Sequence, residues 1–166
     1  VEQLGSRFAM DPTWTTVLSV EEPLRGSAGE SFDALFGGDH PLFDFIAVEN
    51  SKPGRQSNFI VVHATPEWST KHLESDPAEI SELIREALSE TFQVTTQTKL
   101  SHRWRYARPT NPKFTAQKGI YQVSPNLWVA GDYLAGGRVE GARDQPVAED
   151  ERRTVGVQSG GRGQFV

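Results

Sequence analysis

Residues 77–92, PAEISELIREALSETF, carry the clearest helical period of the chain. Asp76 stands at the N-cap, where its carboxylate can accept from the free amide groups of the first turn, and Pro77 occupies the first helical position. Glu79 lies three residues after Asp76, the spacing of a capping box. Ile80, Leu83, Ile84, Ala87 and Leu88 recur at i, i+3, i+4, i+7 and i+8 and form one apolar stripe. Glu82, Arg85, Glu86 and Glu90 make the solvent side. A single stripe of this kind has to be buried against another element, and the segments around it read as strands. The expectation is therefore an α+β fold.

TWTTVLSV (13–20) is β-branched and aromatic, is entered from Asp11-Pro12, and ends at Glu21, Glu22 and Pro23. FDFIAVEN (43–50) reads as a second strand, SKPGRQS (51–57) as a turn, and FIVVHATP (59–66) as a third strand, together a hairpin. Glu67 and Trp68 follow Pro66 and start a short helix in which Trp68 packs. VTTQTKLSHRWRYA (94–107) is a further strand, broken by Pro109 and Pro112. Alternation places His102, Trp104 and Tyr106 on one face and Arg103 and Arg105 on the other. KFTAQKGIYQVSPN (113–126) is a loop with a short strand at its end.

The chain has 166 residues, enough for one domain of ordinary size. Lys+Arg 17 against Asp+Glu 22 leaves a net charge of −5. Without a basic excess, non-specific binding to nucleic acid or an anionic membrane has no electrostatic drive. There is no cysteine, which excludes disulfides, thiolate zinc sites, iron–sulfur clusters and cysteine nucleophiles. His40, His63, His72 and His102 have no metal-ligand spacing, so no metal is assigned. No apolar run reaches the roughly 18 residues of a membrane span. The chain opens on Val1, and VEQLGSRFAMDPTW has neither the basic nor the apolar region of a signal peptide. It reads as the interior of a longer polypeptide in the cytoplasm.

LWVAGDYLAGGRVEGA (127–142) carries the chemistry. It reads as a short buried strand, a Gly-Asp corner, a glycine turn and a helix start. A strand end of this kind opens onto a ligand crevice in an open α/β sheet. The Asp132 carboxylate can accept from ligand hydroxyls, and Gly136 and Gly137 allow close backbone approach. The free amides of a helix start suit an electron-rich group. The same residues also make an ordinary β–turn–α corner with Asp132 as a local cap.

GDYLAGGRVEGA resembles the carboxyl-terminal flavin-binding motif of the amine-oxidase superfamily, and within it the renalase-like FAD-dependent oxidoreductases. DPTWTTVLSVEEPL (11–24), NSKPGR with FIVVHATPEWSTKHLE (50–74) and SHRWRYARP (101–109) are similar to that group in the same order, so the resemblance spans about residue 8 to residue 142. It implies a substrate domain over 1–120, whose mixed or antiparallel sheet roofs the flavin. It further implies a strand–turn–helix segment of a Rossmann-type FAD domain over 121–142. Asp132 would then hydrogen-bond the flavin ribityl chain, Gly131 would permit the turn, and the backbone of Arg138 and Val139 would lie near the flavin N1/C2 carbonyl. His102, Trp104 and Tyr106 would wall the substrate pocket, with Arg105 or Arg103 steering an anionic substrate. A half-buried strand with its arginines in water accounts for the same residues.

The chain departs from that family twice. No G-x-G-x-x-G follows a strand, so the element that seats the FAD pyrophosphate would belong to a missing amino-terminal Rossmann half. After Ala142, RDQPVAEDERRTVGVQSGGRGQFV has no apolar stripe, and 143–166 read as a disordered or aberrant tail. His63 reads as a buried neutral histidine bonded to backbone rather than as a base, and Asp39-His40 near Asp44 as a loop cluster. The implied activity is oxidation of a small amine or reduced nicotinamide by hydride transfer to flavin, with oxygen as acceptor. The alternative is a non-catalytic fragment or binding module without a cofactor.

Overall fold

The computed structural model describes residues 9–110, 120–134 and 137. Residues 9–110 form one compact unit, and the remaining described residues belong to a second. The first unit contains β1 (Met10–Val20), β2 (Ala34–Phe36), β3 (Phe43–Val48), β4 (Phe59–Ala64), α1 (Pro66–Lys71), α2 (Pro77–Phe92) and β5 (Thr96–Pro109). Its five strands form one sheet in the order β2-β3-β4-β1-β5. Every neighbouring pair is antiparallel, as in the α+β class expected.

β1 begins three residues earlier than the sequence suggests and runs through Pro12. Proline cannot donate to the ladder, and the β1–β5 register shifts between Asp11 and Thr13, so Pro12 sits at a bulge. The short β2 lies in a stretch that showed no clear period; it pairs Ala34, Leu35 and Phe36 with Ala47, Ile46 and Phe45.

α2 spans the expected residues. Asp76 Oδ1 accepts from the Ala78 amide at 2.8 Å, and the helix ends on Gln93 in the left-handed conformation (φ 54°). In α1 the Thr65 side chain caps the Trp68 amide. Ile80, Ile84 and Leu88 are fully buried, in one cluster with Trp14, Leu18, Ile46, Ile60 and Val62. The helices therefore cover the sheet face formed by Trp14, Thr16, Leu18 and Val20 of β1 and Ile60, Val62 and Ala64 of β4.

Several polar groups drawn into this layer are bonded in order. The Trp14 amide donates to Ser69 Oγ (3.0 Å) and its indole Nε1 to the His72 carbonyl (3.0 Å). Ser81 donates to the Pro77 carbonyl, which leaves its oxygen to accept from Ser101, whose oxygen in turn accepts from Thr16 (both 2.8 Å). One chain of hydroxyls thus ties β1, β5 and α2 together.

In the second unit, β6 (Ile120–Ser124) and β7 (Leu127–Ala130) form an antiparallel hairpin closed by Pro125-Asn126. The strand expected to be buried at 127 is not: Leu127 is 53% and Trp128 48% exposed. Among the described residues, this hairpin offers them one partner strand and no second layer. The expected helix start after Gly137 and the 143–166 tail lie outside the described residues. Among the described residues, no helix is long and apolar enough to cross a membrane.

Candidate functional site

Alternation sends the odd-numbered residues of β1 and β4 away from the helices, onto a face that no described element of 9–110 covers. The register aligns them into rows. Phe36 pairs with Phe45, Phe45 with His63, His63 with Thr15, and Thr15 with His102, so one row crosses all five strands. At about 4.8 Å per strand it spans about 19 Å. Beside it runs an aliphatic row of Ala34, Ala47, Val61, Val17 and Leu100.

The first row is aromatic at both ends and polar in the middle. Phe36 and Phe45 lie 5.0 Å apart between ring centroids, Phe45 and His63 6.0 Å. At the far end His102 meets Trp104 edge-on at 4.5 Å. In the middle Thr15 Oγ1 and His63 Nδ1 are 2.9 Å apart. Burial, and then the positive charge of Arg108, hold His63 below the ordinary histidine value, so it is neutral at neutral pH. On the two edge strands Phe36 is 76% exposed, Leu100 58% and Trp104 53%; between them Phe45, His63, Thr15, Val61 and Val17 are half-buried and Ala47 is buried.

β4 leaves the sheet at Ala64, and past its end Arg108 of β5 bonds Asp44 of β3 at 2.7 Å. Near the opposite end of the face, Ser19, Glu21, Asn58, Phe59, Gln97 and Lys99 line an open cleft of about 380 Å³.

Among the residues expected to wall a substrate pocket, His102 and Trp104 share this face. Tyr106 lies where the β1–β5 register shifts and is 79% exposed. Arg105 does not join them. It donates to both carboxylate oxygens of Glu74 (2.8 and 2.9 Å), from the segment between the helices, and this pairing holds the Glu74 carboxyl below its ordinary range. Arg103 takes the same side, donating to Glu74 and to the Leu73 carbonyl and lying over the Trp14 ring at 5.7 Å.

His63 was expected to bond backbone; its partner is the Thr15 hydroxyl. His40 is a loop residue as expected. Its Nδ1 accepts from the Leu42 and Phe43 amides and its ring stacks on Phe43 at 4.5 Å, a local structural role. Glu49 is buried and bonds Lys52 and Arg55, which holds the NSKPGR turn between β3 and β4.

Sequence reasoning missed the contribution of Phe36, Phe45, Thr15 and the Arg108–Asp44 pair. The period-2 pattern of Phe59, Val61 and His63 against Ile60, Val62 and Ala64 already separated the two faces of β4.

In the second unit, Asp132 follows the end of β7 and opens a 3-10 turn, Asp132–Leu134, with its side chain exposed. Its carbonyl accepts from the Gly137 amide at 2.8 Å, and Gly137 has φ 70°, the left-handed region that favours glycine. A Cβ on Gly131 would stand 2.3 Å from the Tyr133 ring, so a side chain there would require that ring to shift. An exposed carboxylate just past a strand end is able to accept ligand hydroxyls. Gly136, Arg138 and Val139 lie outside the described residues. No protein-family model matches the chain.

Proposed function

We propose that the chain is part of an FAD-dependent oxidoreductase of the renalase-like, amine-oxidase type, acting in the cytoplasm. In this reading the uncovered face of the five-stranded sheet is the substrate-side wall, and the Rossmann-type half that seats the pyrophosphate is supplied from outside these residues. The observation that carries it is the aromatic row from Phe36 to His102, with Trp104 beside it, on the sheet face opposite the one the helices cover. A flat, apolar wall with few polar groups suits hydride transfer, which needs an oriented donor and a dry surface more than an acid–base pair.

The residues fit the cofactor in part. The exposed Asp132 carboxylate, able to accept from ribityl hydroxyls, supports the reading, while the glycine-rich pyrophosphate seat is absent from the sequence. When bound, the flavin supplies the hydride acceptor. This chain's own contribution is to orient the substrate on the sheet face through His102, Trp104 and the row beside them, and to exclude water from it. Arg105 and Arg103 are engaged by Glu74, so orientation rests on the aromatic face rather than on these two cations.

The test is the visible absorbance of oxidised flavin in the full chain purified together with the polypeptide that carries the G-x-G-x-x-G half, before and after addition of FAD. Retained colour supports the reading, and Asp132→Ala then weakens flavin affinity about tenfold or more, the usual effect of losing one hydrogen bond to a charged acceptor. A preparation colourless under both conditions favours the alternative, a binding module without a cofactor.

A further inference from the structure

The middle of the uncovered sheet face holds a polar pair, Thr15 and His63, and its chemistry is directional. Thr15 is half-buried, and His63 Nδ1 is the partner of its hydroxyl among the described residues. A half-buried hydroxyl proton needs an acceptor. If Thr15 donates to Nδ1, that proton is bonded; the reverse arrangement leaves it unbonded. The imidazole then carries its own proton on Nε2, the nitrogen that Thr15 does not engage. Arg108, Asp44 and Lys52 are the charged groups that act on this ring, from β5, β3 and the turn after β3. Arg108 and Asp44 are paired with each other, and Lys52 with Glu49, so the hydrogen-bonding sense of the ring sets its preference. A ligand atom over His63 therefore meets an N–H donor, which attracts an oxygen acceptor and disfavours an ammonium group.

The flanks define the rest of the ligand. Phe45 stands on one side of His63, and His102 with Trp104 on the other, with Val61 and Val17 in the adjacent row. Two rows, each about 7 Å wide and about 19 Å long, give a patch of roughly 270 Å². A stable protein partner needs about 800 Å² on each side, so the patch fits a small planar molecule.

The geometry points to the open sheet face as a binding site for a planar ring bearing a carbonyl or carboxylate oxygen, which accepts a hydrogen bond from His63 Nε2. This rests on the reading of that face as the substrate-side wall; it does not require the flavin. It also chooses within the substrates that the resemblance leaves open: a cationic amine is disfavoured at this position.

The experiment is a titration of the full chain with benzoate and, separately, benzylamine, which share a ring and differ in charge and hydrogen-bonding sense. Binding is followed by the side-chain nitrogen and carbon resonances of the histidines. Benzoate is expected to shift the His63 signals saturably, with the Nε2-protonated tautomer retained. Benzylamine is expected to bind at least about tenfold more weakly. His63→Phe keeps a flat ring in the row and is expected to weaken benzoate about tenfold or more. Thr15→Val removes the partner that fixes the tautomer, and is expected to change the His63 nitrogen shifts and weaken benzoate while the remaining spectrum stays that of the folded protein.

Unaltered benzoate affinity in His63→Phe overturns the proposal, as does benzylamine binding as tightly as benzoate, or the absence of any His63 response to benzoate. Benzoate binding at His63 in a chain that never takes up FAD leaves this inference standing and removes the flavin. A flavin-bound chain whose His63 ignores benzoate does the opposite.

Discussion

His63 and the buried threonines carry the sharpest expectations for single residues. The folded state holds His63 below its ordinary value of 6.5, so between that value and the lower folded one the unfolded chain binds more protons. Stability then rises with pH through this window, and is lost as pH falls below about 6.5. His63→Gln removes the titration, so its melting temperature is expected to fall less steeply on acidification; parallel curves for the two proteins would contradict the assignment. Thr13, Thr96 and Thr98 bury hydroxyl oxygens that have no hydrogen-bond partner among the described residues. Such an oxygen costs about 1–3 kcal/mol of desolvation. Thr13→Val keeps the shape and removes the oxygen, so thermal unfolding of that variant is expected to occur at higher temperature; a lower one would show that Thr13 has a partner.

At the scale of elements, α2 was legible to the residue because cap, first-turn proline and stripe all agree. Truncating its stripe at Ile84 (Ile84→Ala) is expected to cost about 2–5 kcal/mol, against about 1 kcal/mol for removing the cap with Asp76→Ala. Chemical denaturation of both variants measures the ratio, and equal losses would place Ile84 outside the core. β1 and β4 were legible too, because alternating burial leaves a period of two in the sequence. β2 was not: three residues hold too little pattern, and its pairing with β3 is a long-range choice. β7 misled for a related reason. An apolar run of four residues reads as buried, but burial depends on a second layer that lies elsewhere in the chain. The site divided along the same line. Alternation placed His102 and Trp104 correctly on one face, whereas the row that joins them to Phe36 follows from strand order and register, which no local pattern encodes.

For the molecule as a whole, residues 9–110 have their own core, a complete helix layer and a closed hydroxyl network. This segment alone is expected to fold cooperatively, with a dispersed proton spectrum matching that of the same residues in the full chain; a collapsed, undispersed spectrum would contradict its independence. The packing of this unit is one-sided. One face of its sheet is covered by α1 and α2, and the other carries aromatic and aliphatic rows that include His63 and His102. The functional account depends on that asymmetry having a flat ligand as its purpose. Riboflavin carries the isoalloxazine ring without the pyrophosphate, so it tests the face directly. Its addition to the full chain, mapped by chemical-shift changes, is expected to perturb Phe36, Phe45, His63, His102 and Trp104 together and to leave Ile80, Ile84 and Leu88 unmoved. Saturable shifts confined to the helix side, or none on the open face at any riboflavin concentration, would contradict it.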